Sequence, residues 1–95
     1  MSTSNLAILG CGNIGSAIAK GLAKSGLTPA DITLTQRKLE SLSELNQAGF
    51  QTRDDNAKAV QNSEIIFLTV GPSQLMDLLD EISSSLNSDH LLISI

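Results

Sequence analysis

The run Leu6-Ala-Ile-Leu-Gly-Cys-Gly-Asn-Ile-Gly15 does most to restrict the folds open to this chain: an apolar strand enters Gly10-x-Gly12-x-x-Gly15 and continues into a helical pattern. Each glycine answers a separate demand. Gly10 allows a tight turn, Gly12 lets backbone approach a pyrophosphate, and Gly15 lets helix and strand pack closely. A helix opening near Asn13 aims the free N–H groups of its first turn at phosphate oxygens, where its dipole also favours negative charge. Gly10, Cys11, Gly12, Asn13, Ile14 and Gly15 therefore form a candidate dinucleotide-binding turn. The motif alone is weak, because glycine-rich turns also join strands to helices for steric reasons. The apolar strand before it, and Ile14, Ala17, Ile18, Gly21 and Leu22 on one helical face after it, supply the context.

Strand and helix patterns then alternate to the end of the chain. Ser25-Gly26 closes the first helix and Ile32–Thr35 gives a second strand. Leu39, Leu42 and Leu45 mark a second helix that Gly49 closes, and Phe50-Gln-Thr52 offers a short third strand. Asp54 or Asp55 is placed to cap a small helix over Asn56 to Gln61. Ile65-Ile-Phe-Leu-Thr-Val70 is apolar on both faces, as a central parallel strand should be. Gly71-Pro72 turns into a helix with Leu75, Leu78, Leu79, Ile82 and Leu86 on its inner face, and Ser83 to Ser88 read as its fraying end and a loop. His90-Leu-Leu-Ile-Ser-Ile95 reads as a buried strand that stops without a turn, a cap or a polar tail, the pattern of a chain that continues elsewhere. Strands separated by helical crossovers predict an α/β fold of the Rossmann type: a doubly wound parallel sheet in a three-layer αβα arrangement, residues 1–95 forming one domain.

Composition narrows the function classes. The 95 residues carry six basic and ten acidic side chains, a formal net charge of −4, and two aromatics. A nucleic-acid surface needs basic clusters and usually stacking platforms, so that partner is not expected. No apolar run approaches the ~20 residues of a membrane span, and Met1-Ser-Thr-Ser-Asn5 lacks the regions of a signal peptide; the expectation is a cytoplasmic, soluble protein with no membrane partner. Cys11 has no partner for a disulfide and no basic neighbour to activate it, so it reads as a small residue between two glycines. Asp77, Asp80 and Glu81 fall at helical spacing on a solvated acidic face, and without His or Cys partners no metal is expected. His90 opens the last strand at the edge where chains enter the sheet, and reads as a surface residue.

Two further turns lie where the fold would bring ligands. An NAD enzyme typically places Asp or Glu at the end of the second strand, on the adenosine ribose. Here the residues are Thr35-Gln36-Arg37-Lys38, with two cations and no carboxylate. A guanidinium or an ammonium pairs with the 2′-phosphate of NADP, which favours NADP(H) as cofactor, with Arg37 as the main phosphate ligand. Lys38 fits a solvated charge equally well. At the end of the fourth strand, Val70-Gly71-Pro72 could let backbone approach a cofactor spanning the crevice, and is equally ordinary punctuation between strand and helix.

At these residues the chain resembles pyrroline-5-carboxylate reductases. The similarity runs nearly end to end, through Ile8-Leu-Gly-Cys-Gly-Asn-Ile-Gly15 and the small-residue helix after it, the Thr35-Gln36-Arg37 turn, Asn62-Ser-Glu-Ile-Ile-Phe-Leu-Thr-Val70 and Leu91-Leu-Ile-Ser-Ile95. Two features depart from the family pattern. Val70-Gly71-Pro72-Ser73-Gln74 stands where the family usually has Val-Lys-Pro-Gln, and Gly15 stands where it commonly carries alanine, an exchange the packing is expected to tolerate easily.

The resemblance implies the NADP-binding part of a two-domain enzyme, the chain stopping before a helical C-terminal domain that supplies the substrate pocket and the subunit contacts of a homo-oligomer. It implies NADPH-dependent reduction of 1-pyrroline-5-carboxylate, a small-molecule substrate, to proline, with the reactive centre on the cofactor and no catalytic residue on this chain. Three other readings share the turn: a reductase passing hydride between NADP and the deazaflavin F420, a dehydrogenase of β-hydroxyacids, and a non-catalytic nucleotide-binding regulatory domain.

Overall fold

The structure, a computed structural model, describes residues 5–95; the segment Met1 to Ser4, read above for a signal peptide, lies outside the described residues. The chain runs β1 (Leu6–Leu9), α1 (Asn13–Lys24), β2 (Ile32–Thr35), α2 (Ser43–Gln47), β3 (Gln51–Arg53), α3 (Asn56–Gln61), β4 (Ile65–Leu68), α4 (Pro72–Ile82) and β5 (Leu91–Ser94). All four strand pairings are parallel, in the order β3-β2-β1-β4-β5. The order reverses beside β1, so β2 and β4 flank the glycine turn. That reversal opens the ligand crevice of a doubly wound sheet at the carboxyl ends of its strands.

Alternation along the strands sorts the core into two halves. Leu6 and Ile8 of β1 join Ile32 and Leu34 of β2, Ala19 of α1, Leu42, Leu45 and Phe50 on one face. Ala7 and Leu9 join Ile66 and Leu68 of β4, Ala59 and Val60 of α3, and Leu78 and Ile82 of α4 on the other. Helices thus lie on both sides of the sheet, the three-layer arrangement expected. Among the described residues no helix is long and apolar enough to cross a membrane.

The structure differs from the sequence expectations in several places, each for a local reason. The inner face of α1 is Gly15 and Ala19, with Ile18, Leu22 and Ala23 packed beside them, while Ile14 is 59% exposed and Ala17 and Gly21 face outward. Close packing of Gly15 on Ile8 of β1 sets that rotation. The second helix begins as a 3₁₀ turn over Leu39–Leu42 and continues only as five residues of α2. Leucines spaced by threes match the three-residue period of a 3₁₀ turn better than an α-helix. The third strand starts one residue late because Phe50 turns into the core. β4 stops at Leu68, since β1 leaves the sheet at Gly10 and Val70 has no strand to pair with.

The largest correction concerns β5. It is an edge strand, paired only with β4, and its residues are exposed or half-buried: Leu91 is 55% and Leu92 38% accessible. Its apolar sequence resembles that of a buried strand, but the contacts that would bury it are not made within the described residues. His90 is also not a free surface group. Its Nδ1 accepts from the Asn87 N–H at 3.0 Å, which leaves the proton on Nε2 for the Val60 carbonyl 3.0 Å away. The half-buried ring therefore ties the loop before β5 to the end of α3, on the opposite edge of the sheet from the crevice.

Candidate functional site

The glycine turn is held from both neighbouring strands. Gly10 has φ +73°, and a Cβ there would lie 2.3 Å from Cγ1 of Val70, so both the backbone and the space exclude a side chain. The Cys11 N–H donates to the Thr35 carbonyl at 2.8 Å, and the Gly10 N–H to Thr35 Oγ1 at 3.1 Å. From the β4 side the Thr69 hydroxyl is shared between the carbonyls of Leu9 (2.8 Å) and Gly10 (3.2 Å). These bonds satisfy the turn's inner polar groups and fix the direction in which α1 departs.

Gly12 is of a different kind. Its φ is negative, −95°, unlike that of Gly10, and an added Cβ would meet nothing within 4 Å. No packing neighbour calls for glycine at this position. A bare backbone here lets a ligand approach the N-terminus of α1, where neither a side-chain cap nor an acidic residue in the first turn competes for the free N–H groups. Asn13 and Ile14 follow as exposed residues of that first turn. Gly15 faces inward, and an added Cβ would stand 3.1 Å from Ile8 Cγ2 and Thr69 Oγ1 and 3.2 Å from Cys11 Sγ. The easy tolerance of alanine expected there is corrected: all three neighbours must yield by a few tenths of an ångström.

Cys11 is buried beneath the turn, its Sγ 3.7 Å from Ser16 Oγ. Burial pushes the thiol above its ordinary pKa, only partly offset by the Ser16 hydroxyl, so the group stays protonated and unreactive at neutral pH. Among the described residues no group of three or more His, Cys, Asp or Glu is placed to hold a metal ion.

The turn after β2 divides. Thr35 is buried, and its hydroxyl donates to Asn56 Oδ1 while accepting from Gly10. The hydroxyl that the sequence offered to a 2′-phosphate is thus committed inward, and Thr35 acts on the glycine turn instead. Gln36 likewise donates from Nε2 to the Cys11 carbonyl at 2.9 Å. Arg37 and Lys38 are exposed; Arg37 lines the crevice beside Gly10, and Lys38 instead receives Ser41 on its carbonyl as the 3₁₀ turn opens. Across the crevice, Val70 packs on the α4-side core, and Gly71 and Pro72 open α4 as exposed residues. A Cβ on Gly71 would meet nothing within 4 Å, so no packing neighbour stands against the β-carbon of the lysine common in the resembled family.

A cavity of about 160 Å³ joins these elements, lined by Gly10, Gln36, Arg37, Gln74, Asp77, Leu78 and Glu81. Asp77, Asp80 and Glu81 are exposed, as the sequence reading has them, and Asp77 and Glu81 also border this cavity. Asn56 was missed: its amide nitrogen donates to Glu81 Oε2 at 3.0 Å, joining α3 and α4 to Thr35 and the turn. Its position just after the Asp55 cap identified it only as a helix start; the fold alone brings it beside β2. A larger hollow of about 510 Å³ lies between α1 and α2 and includes none of the three glycines of the turn.

A parallel sheet reversing at β1, a pinned glycine turn and an uncapped helix N-terminus define a dinucleotide-binding α/β domain. Residues 5–95 match the family model described as NADP oxidoreductase coenzyme F420-dependent, and the chain belongs to that family. It is 41% identical over 93 residues to pyrroline-5-carboxylate reductase 1 of Dictyostelium discoideum, an alignment covering 97% of this chain and 17% of that protein. Among solved structures, a pyrroline-5-carboxylate reductase from Coxiella burnetii superimposes with a TM-score of 0.92 at 31% identity, over 99% of this chain and 36% of the other. The Plasmodium falciparum pyrroline carboxylate reductase, solved with NADP bound, gives 0.83 at 25% identity over 100% and 34%. The resemblance read from the motifs is borne out, and the chain spans about a third or less of the length of these relatives.

Proposed function

We propose that this chain is the cofactor-binding domain of an NADPH-dependent reductase that converts 1-pyrroline-5-carboxylate to L-proline. The observation carrying the proposal is Gly12: a glycine that no packing neighbour requires, set at the uncapped N-terminus of α1. In this reading the N–H groups of α1 hold the pyrophosphate, Arg37 pairs with the 2′-phosphate, and Val70, Gly71 and Pro72 border the path toward the nicotinamide. The chemistry a bound cofactor supplies is hydride donation to the C=N carbon; the nitrogen takes up a proton, leaving NADP⁺ and proline. This chain binds and orients. Substrate contacts and the association of subunits into a homo-oligomer fall to a helical C-terminal domain, and the cytoplasm is the proposed compartment.

Titration of the chain with NADPH and NADH at matched ionic strength tests the reading, repeated with Arg37→Ala. We expect NADPH to bind at least ~10-fold tighter, as one charge-assisted phosphate pair implies, and that preference to collapse in the variant. A preference for NADH would defeat the assignment of the turn after β2. The protein with its full C-terminal part should then reduce 1-pyrroline-5-carboxylate.

A second reading rests on Gly71. Loss of the lysine usual at that position fits a relative that exchanges hydride between NADP and a deazaflavin, and F420 reduction assayed beside proline formation separates the two.

A further inference from the structure

The single histidine of the chain is held at both ring nitrogens, by backbone groups of two different elements. Nδ1 of His90 accepts the Asn87 N–H at 3.0 Å within the loop before β5, and Nε2 donates to the Val60 carbonyl of α3 at 3.0 Å. The His90 N–H returns to the Asn87 carbonyl at 3.2 Å, so the loop closes on itself twice. The strand that follows has little else to hold it. Among the described residues β5 pairs with β4 alone, the Leu91 N–H donating to the Glu64 carbonyl at 2.8 Å and the Ile95 N–H to the Leu68 carbonyl at 3.2 Å. An imidazole that accepts at one nitrogen and donates at the other is neutral. Once protonated it donates from both, and the Asn87 N–H then meets an N–H where its acceptor stood. Histidine is the side chain that ordinarily changes charge between about pH 5 and 8.

We propose that His90 is a proton-sensitive latch on the edge of the sheet: mild acid opens the turn over residues 87–90 and loosens β5, while the Nε2 bond to Val60 keeps the ring on α3. The ionisable groups on the elements about the ring are Asp89 in the same loop, Lys58 on α3, Glu64 before β4, and Asp80 and Glu81 on α4. Glu81 is engaged by Asn56 at the start of α3. Both ring nitrogens are occupied by backbone groups, so none of these charges sets the tautomer. Attraction between a carboxylate and the charged ring would not return an acceptor to the Asn87 N–H, so it does not keep the turn closed. The latch stands where the strands enter the sheet, away from the glycine turn, and the bonds that pin that turn involve no histidine. Loosening is therefore confined to the loop and β5, the strand whose Leu91 and Leu92 are already exposed.

Amide hydrogen exchange followed by NMR at about pH 5 and about pH 8, each rate divided by its intrinsic chemical rate, tests the latch. In the parent chain the Leu91 N–H is expected to exchange about 10-fold faster in acid, the upper range for one lost neutral hydrogen bond, and the Asn87 amide resonance to shift. The Cys11 N–H, bonded to the Thr35 carbonyl in the glycine turn, should keep its protection at both pH values. His90→Gln carries an acceptor and a donor and does not titrate, so Leu91 should stay protected in acid as at pH 8. His90→Phe offers neither and should leave Leu91 fast at both; if that variant does not fold, the parent and His90→Gln decide the matter. Equal protection of Leu91 at the two pH values in the parent overturns the proposal. Acid loosening that persists in His90→Gln also overturns it, and assigns the effect to the carboxylates. Joint loss of protection at Leu91 and Cys11 does so too, since the whole domain would then be unfolding.

Discussion

The two turns that flank the crevice are built in opposite ways. After β1 the backbone presents the chemistry, and it is fastened from both sides, by Thr35 and Gln36 from β2 and by Thr69 from β4. After β2 the side chains present it, and Arg37 and Lys38 lie exposed. A backbone N–H works only if its position is fixed in advance, since it has no rotamers with which to seek a ligand. A long cationic side chain finds an anion from a solvated surface, and a rigid setting is not required of it. Stability should therefore be sensitive where the first turn is pinned, at Gly10 and its partner Thr35, and indifferent at Arg37 and Lys38.

Gly10→Ala should cost the most. The φ of +73° and the 2.3 Å approach to Val70 combine strain with overpacking, and we expect a loss of about 3 kcal/mol in urea unfolding. A loss below ~1 kcal/mol would mean that the turn is not held as described. Thr35→Val keeps the shape and removes the hydroxyl, leaving the Gly10 N–H and Asn56 Oδ1 unpartnered. About 2 kcal/mol should be lost by the same measurement, with weaker cofactor binding in parallel.

Gly12→Ala separates ligand approach from fold. Its Cβ meets nothing within 4 Å, so stability should fall by no more than the ~1 kcal/mol of a poorer helix N-cap while affinity for NADPH falls by about 10-fold or more, a free-energy change of ~1.4 kcal/mol. Unchanged affinity would remove the main support for a pyrophosphate at α1. The smallest effect concerns Cys11. Burial raises its pKa in the folded chain, so the folded form holds the proton more tightly than the unfolded one. The contribution is complete below the unfolded thiol's pKa and is lost as pH rises through the folded value. Stability should thus decline in the alkaline range, and Cys11→Ala should remove that part of the slope; at neutral pH the thiol should resist alkylation until the chain unfolds.

Much of the architecture was legible along the chain because its signals are local. The glycine spacing marked the first turn, and α3 occupies Asn56–Gln61 as its Asp55 cap and small apolar run indicated, with Asp55 accepting from the Lys58 N–H. The five strands were placed to within a residue or two, and their helical crossovers required parallel pairing. Harder to read were the features set by what packs against an element. The leucine spacing of the second helix did not show that it would open as a 3₁₀ turn, and the α1 stripe was placed about a residue away from the face that Gly15 docks on Ile8.

Periodicity, the glycine turn and the absence of a carboxylate after β2 are properties of neighbouring residues, and the sequence by itself determined them: a parallel α/β domain with a dinucleotide-type turn and a cationic strand end. Only the tertiary structure decided that Thr35 would face inward, that Asn56 and Glu81 would meet across 25 residues of chain, and that the apolar β5 would be an exposed edge. A residue's type and spacing state what it can bond or bury, while the order β3-β2-β1-β4-β5 determines which partner reaches it.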